Sequence, residues 1–489
     1  MEKMYNKKSF LFILILFIIS VLFVLIMSYS TSPLYPYYFG GDSAQFQTIG
    51  KGWSMGMIPY KNMFDHKGPI IFFVDMLGFL LTGTSFGIML LQIIFMFFTL
   101  FSLFLLSQLC FKNHIGWGIV CIFLALIILT LYYNGGNTVE EYCLPFIGIS
   151  LFFQLKYFYS NKYDTHFPLY AGFYGITFAV CLFTRITNGV AIFCGIFVIT
   201  IMLLINKSWK SLLQNILCFI AGALVVILPF CIYFGFYGVL KDLFFASITY
   251  NLEYQSHMES WILSPTGEEF KTWVIQYFSA YSIFITACLS YKRNKKVFSA
   301  FCIIAGLSEL YIFLSGATYP QYAIITLPQI ILLLNEIGFI NGTKPETLTI
   351  KIIGASFITA FCFYALISIL PQSADMHNNY QTPQEIGYES LLDMIPEQDH
   401  DSFIAYGPNV FKELYLLHNL MPCYKYFVIQ EWHASFSLTV KNDIKKTFLE
   451  GNAKWILTEG DTPTIQDVLD RRYFLVAQKD TYKLYSIIQ

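Results

Sequence analysis

"PIIFFVDMLGFLLTG", Pro69 to Gly83, is apolar enough to pass for a membrane span and too short to be a comfortable one. Whether it crosses decides on which side every later loop lies. A span takes about 20 predominantly apolar residues, and this run carries Asp75 near its middle. We read it as a helix lying at the membrane interface. Lysine and arginine test the reading, because cytoplasmic loops collect them. With 69–83 set aside, eleven spans remain, near 10–29, 86–110, 115–133, 142–160, 168–184, 189–205, 212–236, 271–291, 297–315, 322–340 and 351–370. The inner loops then hold fourteen Lys and Arg, among them the "KRNKK" cluster Lys292–Lys296, against six in the outer loops: Lys51, Lys61, Lys67, Arg185, Lys241 and Lys271. Counting 69–83 as a span would put that cluster outside.

Composition agrees with a polytopic α-helical membrane protein. The chain of 489 residues is 56% hydrophobic and 12% charged, with mean hydropathy +0.57, where a soluble domain is about 25% charged. With a net charge of −1, nothing argues for nucleic acid as a partner. The first apolar run, Phe10–Met27, follows Lys3, Lys7 and Lys8, and "SYSTSPLY" after it offers no small-residue cleavage site. It reads as a retained anchor with a cytoplasmic N-terminus. The expected location is a bacterial plasma membrane.

The expected organisation is a transmembrane catalytic module over 1–370, with outer loops at 32–85 and 238–270, and an extracytoplasmic α/β domain over 371–489. The latter holds 26 of the 61 Lys, Arg, Asp and Glu. Its apolar pieces "DSFIAYG", "CYKYFVI" and "KWILTE" read as strands, and "LTVKNDIKKTFLEG" and "TIQDVLDRR" as helices. The end reads as a hairpin around Lys479-Asp480-Thr481. Cys423 is the one cysteine beyond the last apolar run, so no disulfide can form within this region.

Acidic residues gather on the predicted outer side. Asp42 follows Gly40 and Gly41 at the mouth of the first span, Asp65 lies two residues before Lys67, and Glu140 and Glu141 follow the third span. Charge beside a bilayer is costly and needs a partner or a task. Gly40 and Gly41 let the backbone bend close to a bound group. Lys67 and Arg185, predicted at similar depth, are a cation pair able to hold a phosphate.

The stretch from Gly40 to Ser85 resembles the first outer loop of the GT-C glycosyltransferases. That group carries an acid after the first span, a G-x-x-P-Y-like turn and an H-K-P-P-like motif. Here those positions are Asp42, Gly56-Met57-Ile58-Pro59-Tyr60 and His66-Lys67-Gly68-Pro69. The second acidic motif falls near Glu140 and Glu141, and "TYPQYAIITLP", Thr318–Pro328, resembles a later R-Y-x-x-x-x-x-P segment containing Tyr322. The departures are Gly68 for the first Pro, Glu for the more usual Asp, and Gln321 where Arg is frequent. The resemblance implies transfer of a sugar from a polyprenyl-phosphate donor to a hydroxyl of a glycan, lipid or protein at the outer face, with inversion. It assigns Asp42 as general base, Lys67 and then Arg185 to the leaving phosphate, and Glu140 or Glu141 to orientation of acceptor or sugar. Asp65, His66 and Tyr60 belong to the same motif region. No cofactor is implied, and no His or Cys set suits a metal.

Three further signals lie outside these motifs. Asp399-His400-Asp401 is a D-x-D on a charged turn, read as solvated. Glu309 is an acid inside the ninth span, read as a buried hydrogen-bonding group or as lining a lipid groove. The loop 238–270 is long for a connector, and its Tyr250, Asn251, Tyr254, His257 and Trp261 suit sugar stacking, which suggests a mobile lid. The competing class is a transporter or a polymerase or export protein of surface polysaccharide. Against it, no internal repeat is visible and the charges collect at one face rather than the midplane.

Overall fold

A computed structural model of the chain describes residues 7–110, 115–160, 162–257, 268–314, 319–338, 345–380, 382, 386–451 and 453–488. Each of the eleven predicted spans overlaps a helix, the tenth, 322–340, opening in a 3₁₀ segment, Pro320–Thr326. They are α1 (Lys7–Met27), then, after α2 (Gly41–Ser54) and α3 (Pro69–Thr82), α4 (Ser85–Cys110), α5 (Ile115–Tyr132), α6 (Leu144–Ser160), α7 (Pro168–Leu182), α8 (Val190–Ile205) and α9 (Trp209–Phe236). After α10 (Leu240–Phe244), a π turn (Phe245–Thr249) and α11 (Tyr250–His257) come α12 (Glu268–Lys292), α13 (Lys296–Leu314), α14 (Leu327–Gly338) and α15 (Pro345–Asn379). Among the described residues seven helices are long and apolar enough to cross a membrane. The protein is a polytopic α-helical membrane protein with a small C-terminal α/β domain.

The chain divides into two compact units, and the division does not fall at 370. One unit comprises 1–28, 90–232 and 258–375; the other comprises 29–89, 233–257 and 376–489. The loop after α1, α10–α11 and the C-terminal region thus form one body.

In the first unit the helices pack side by side. Helix α12 lies against α13 and α14, and Phe278 of α12 stacks on Phe361 of α15 at 3.6 Å between ring centroids. Helices α7 and α9 cross at glycines: a Cβ on Gly222 would meet the Gly172 carbonyl oxygen at 2.0 Å. Small residues at such crossings let backbones approach, which is how packing is gained in lipid. Glu309 is buried and accepts a hydrogen bond from Gln329 Nε2, a packing contact within this helix bundle.

In the second unit, α2 and α3 pack through Gly50, whose added Cβ would lie 2.4 Å from Asp75 Cβ. Pro69 starts α3, where its missing N–H costs nothing. The C-terminal region carries a four-stranded sheet in the order β1-β2-β4-β3. Strands β1 (Phe403–Tyr406) and β2 (Trp455–Glu459) are parallel; β4 (Tyr482–Ile487) runs antiparallel to β2 and to β3 (Tyr473–Lys479). The hairpin turns at Asp480, with φ 52°, where it was expected. Helices α16 (Glu389–Leu392), α17 (Leu414–Leu417), α18 (Gln430–Phe436), α19 (Leu438–Glu450) and α20 (Gln466–Arg472) complete the domain.

Three local expectations are corrected. "CYKYFVI" is not a strand: its backbone is spent singly, Lys425 O accepting from Phe64 N and Ile429 N donating to Gly407 O. Residues 240–257 of the long loop are helical rather than open, and Trp261 lies outside the described residues. Asp399 is not a solvated turn residue: its carboxylate accepts from Lys454 Nζ at 2.5 Å and from Trp455 Nε1 at 3.2 Å, tying the turn to β2.

Candidate active site

The predicted site residues collect in two clusters, one in each unit. In the second unit Asp42 sits in the first turn of α2, where the helix dipole favours a carboxylate. Gly40 makes the approach at φ 72°, a conformation side-chain-bearing residues avoid, and its added Cβ would come within 3.2 Å of Ser30 Cβ. Asp42 is 58% exposed, and its Oδ1 accepts from Lys412 Nζ at 2.9 Å, while the Lys412 side chain is only 6% exposed.

The loop between α2 and α3 is held from within. Tyr60, fully buried at φ 67°, donates its hydroxyl to Lys67 O at 2.8 Å. Asp65 Oδ1 accepts from Lys67 N at 2.8 Å and lies 3.7 Å from His66 Nδ1. Lys67 Nζ lies 2.6 Å from His66 Nε2. An ammonium can only donate, and a His66 Nε2 without a proton would accept from it. Burial raises the Asp65 carboxyl to about 6, against the pull of Lys67 and Lys412; Asp42 pushes it the same way as burial. These four charged groups therefore share one electrostatic neighbourhood.

Around them lies an aromatic wall. Tyr250 shares a hydrogen bond with His433 Nδ1 at 2.9 Å, and Asn251 Nδ2 donates to His66 O at 2.8 Å. Tyr254 packs on Trp432 and Phe436 at 5.4 and 4.9 Å between centroids, and His66 lies 6.1 Å from Tyr254. His433 is buried, and burial, reinforced by Lys412 and Lys67, depresses it to about 3, so it is neutral at pH 7. Nothing is described of the His257 side chain, at the end of α11.

In the first unit Glu140 accepts from Arg185 Nη1 at 3.1 Å, and the Arg185 guanidinium lies 3.3 Å from the centroid of the Tyr322 ring. Glu141, one residue on, is fully engaged: its carboxylate accepts from Tyr133 OH at 2.5 Å, Gln92 Nε2 at 3.0 Å and Asn137 N at 2.9 Å. Burial raises it to about 7, those donors pulling the other way. Gln321 accepts from Asn134 Nδ2 at 3.0 Å. The geometry thus separates two acids the sequence could not: Glu141 is bound up in the fold, and Glu140 is joined to the Arg185–Tyr322 pair. Among the described residues no group of three His, Cys, Asp or Glu could hold a metal ion.

Sequence reasoning missed Lys412, Trp432 and His433. Lys412 lies in the amphipathic "VFKELYLL", where a lysine reads as solvated. "EWHASF" carried the only signal, a Trp-His pair in a soluble region.

No curated protein matches the chain. Among solved structures, ArnT from Cupriavidus metallidurans aligns in its apo state and bound to undecaprenyl phosphate, each with TM-score 0.56, 12% identity, 97% of this chain and 98% of that one. The archaeal oligosaccharyltransferase AglB from Archaeoglobus fulgidus, in complex with an inhibitory peptide and a dolichol-phosphate, aligns with TM-score 0.51 and 12% identity over 99% of this chain and 75% of that one. Both are members of the GT-C superfamily, and this chain shares their fold. The family model described as "Putative competence-induced protein Ccs4 N-terminal domain" matches residues 2–346, and the chain belongs to that family.

Proposed function

We propose that the protein is a membrane glycosyltransferase that moves a sugar from a polyprenyl-phosphate-linked donor to an acceptor hydroxyl at the outer face of the membrane. The observation that carries the reading is the second-unit cluster: a half-exposed carboxylate, Asp42, in one electrostatic neighbourhood with a buried ammonium, Lys67, on a fold shared with a protein crystallised with undecaprenyl phosphate.

Asp42 takes the proton of the acceptor hydroxyl as its oxygen attacks the anomeric carbon. The carbon–oxygen bond to phosphate breaks on the opposite side, so the anomeric centre inverts. The phosphate leaves already charged and needs no proton, only fixed positive charge. Lys67 supplies it, directed by His66, whose Nε2 accepts from the ammonium. Arg185 is the second candidate cation, with Tyr322 against it, and Glu140 orients it. Tyr250, Tyr254 and His257 are proposed contacts for sugar or acceptor. The acceptor is a glycan, lipid or protein hydroxyl, and the N-terminus is cytoplasmic with the C-terminal domain outside.

Purified protein in lipid, given either nucleotide sugars or a mixture of polyprenyl-phosphate sugars with candidate acceptors, tests this. Product is expected with the lipid-linked donors. Lys67→Ala is expected to lower turnover about a hundredfold and to weaken inhibition by free polyprenyl phosphate, while the exposed Lys61→Ala is neutral. Transfer from nucleotide sugar alone, indifferent to Lys67→Ala, overturns the reading.

A further inference from the structure

We propose that Lys412, with Glu413 beside it, is a positioning residue for Asp42, so that the C-terminal segment is part of the catalytic apparatus. The inference rests on the proposed role of Asp42 as base and adds to it the group that sets that base.

Two successive residues of the C-terminal segment, Lys412 and Glu413, lie at the start of α2. Lys412 Nζ donates to Asp42 Oδ1 at 2.9 Å. Burial raises the Glu413 carboxyl, and the backbone of Phe39 and Gly40, the residues leading into α2, pulls it back down. The far end of α2 is tied to the same segment, Lys51 Nζ donating to Asn419 Oδ1 at 2.6 Å. The exposures are unequal: the ammonium is 6% exposed and its carboxylate partner 58%. A buried ammonium without a counter-charge is strongly unfavourable. The pair is therefore anchored from the lysine side, and the carboxylate is held at a fixed point while remaining open to solution. A general base needs that geometry, within hydrogen-bond reach of its substrate proton.

The charge has a second effect. Asp42 acts on Asp65, which Lys67 and Lys412 also reach; Glu413, beside Lys412, acts on Tyr38. Lys412 is bonded to the Asp42 carboxylate. An opposite charge this close favours the ionised carboxylate.

Two readouts test this, one of them independent of turnover. In the lipid-linked-sugar assay, Lys412→Met is expected to move the acid limb of the kcat/KM profile up by about one pH unit and to lower kcat more than it changes KM, with Lys412→Arg restoring the wild-type limb. Separately, Asp42 is labelled by a water-soluble carbodiimide and an amine across pH and followed by mass spectrometry. In wild type its half-labelling pH is expected below that of the exposed Asp461, and in Lys412→Met it rises. An active wild type whose limb and labelling pH ignore Lys412→Met overturns the inference. Should the wild type show no transfer from any lipid-linked sugar, the proposed function fails, and the labelling shift alone decides whether Lys412 sets Asp42. Should Lys412→Met fail to fold, Lys412→Gln, which loses the charge and keeps a hydrogen-bond donor, is labelled in its place, and an unchanged half-labelling pH overturns the inference.

Discussion

Asp42 and Glu141 are both carboxylates in the acidic set, but Asp42 is 58% exposed with one oxygen held by Lys412, whereas Glu141 is buried and accepts from Tyr133, Gln92 and the Asn137 backbone. The same functional group is therefore expected to fail differently when removed. Asp42→Asn keeps the size of the side chain and loses its basicity. Turnover should fall by about two to four orders of magnitude, with melting temperature little changed; activity within threefold of wild type sinks the assignment. Glu141→Ala leaves three buried donors without their acceptor, each costing about 1–3 kcal/mol, so melting temperature should drop by several degrees. Glu140→Gln keeps a hydrogen-bond acceptor for Arg185 and should keep the fold while lowering turnover. A Glu140→Gln variant that melts early, beside a Glu141→Ala variant that does not, would reverse the two roles.

At the scale of elements, the loop between α2 and α3 is a small electrostatic device. Asp65 is held up at about 6 and His433 down at about 3, both by burial. For Asp65 the native state binds the proton more tightly than the unfolded chain. Its contribution to stability is therefore complete below the ordinary carboxylate value and is lost as pH rises from about 4 to about 6. For His433 the sign is opposite: the unfolded chain takes up a proton near pH 6.5 that the native state refuses, so stability is lost as pH falls from there toward 3. Asp65→Asn should remove the first dependence and leave the second. The melting-temperature deficit of Asp65→Asn relative to wild type should therefore shrink as pH is raised from 4 to 6.5, and a deficit flat with pH contradicts this. The elements themselves differ in how far they could be read. Runs such as Val190–Ile205 announce a helix because nothing but an apolar environment suits them, and the Lys479-Asp480-Thr481 turn announces a hairpin because Asp480 tolerates φ 52°. "CYKYFVI" has the alternation of a strand, yet its backbone groups find partners at Phe64 and Gly407, which no local pattern records. In the candidate site, Asp42 and Lys67 were legible from a compact motif. Lys412 was not, because a lysine in an amphipathic turn looks the same whether it points to water or to an aspartate some 370 residues away. The choice between Glu140 and Glu141 also depends on partners, Arg185 and Gln92, that are distant in sequence.

At the scale of the whole molecule, the sidedness of the C-terminal domain turns on α14. The charge count places Lys292–Lys296 inside and, three spans later, the C-terminal domain outside. Of those three, α13 and α15 include stretches long and apolar enough to cross, Lys296–Leu314 and Leu348–Asn379. Helix α14 has 12 residues, a rise of about 18 Å at 1.5 Å per residue, short of the roughly 30 Å hydrocarbon core. It is preceded by a 3₁₀ segment, Pro320–Thr326, of seven residues, which adds about 14 Å at 2.0 Å per residue. The two together reach across; α14 alone does not. The 3₁₀ segment is nearly as apolar as the helix, with Ala323, Ile324 and Ile325 buried, so we expect 320–338 to cross as one broken span. Single cysteines at Lys296 and Lys479, both exposed and placed on a Cys-free background, then report opposite sides. A membrane-impermeant thiol reagent applied to intact cells should label Lys479→Cys and spare Lys296→Cys until the membrane is permeabilised. Labelling of both from outside, or of neither, would mean that 320–338 enters and leaves on one face. The C-terminal domain and the "KRNKK" cluster would then share a side, and labelling of neither would put Lys412 on the inner face, away from a donor site on the outer one.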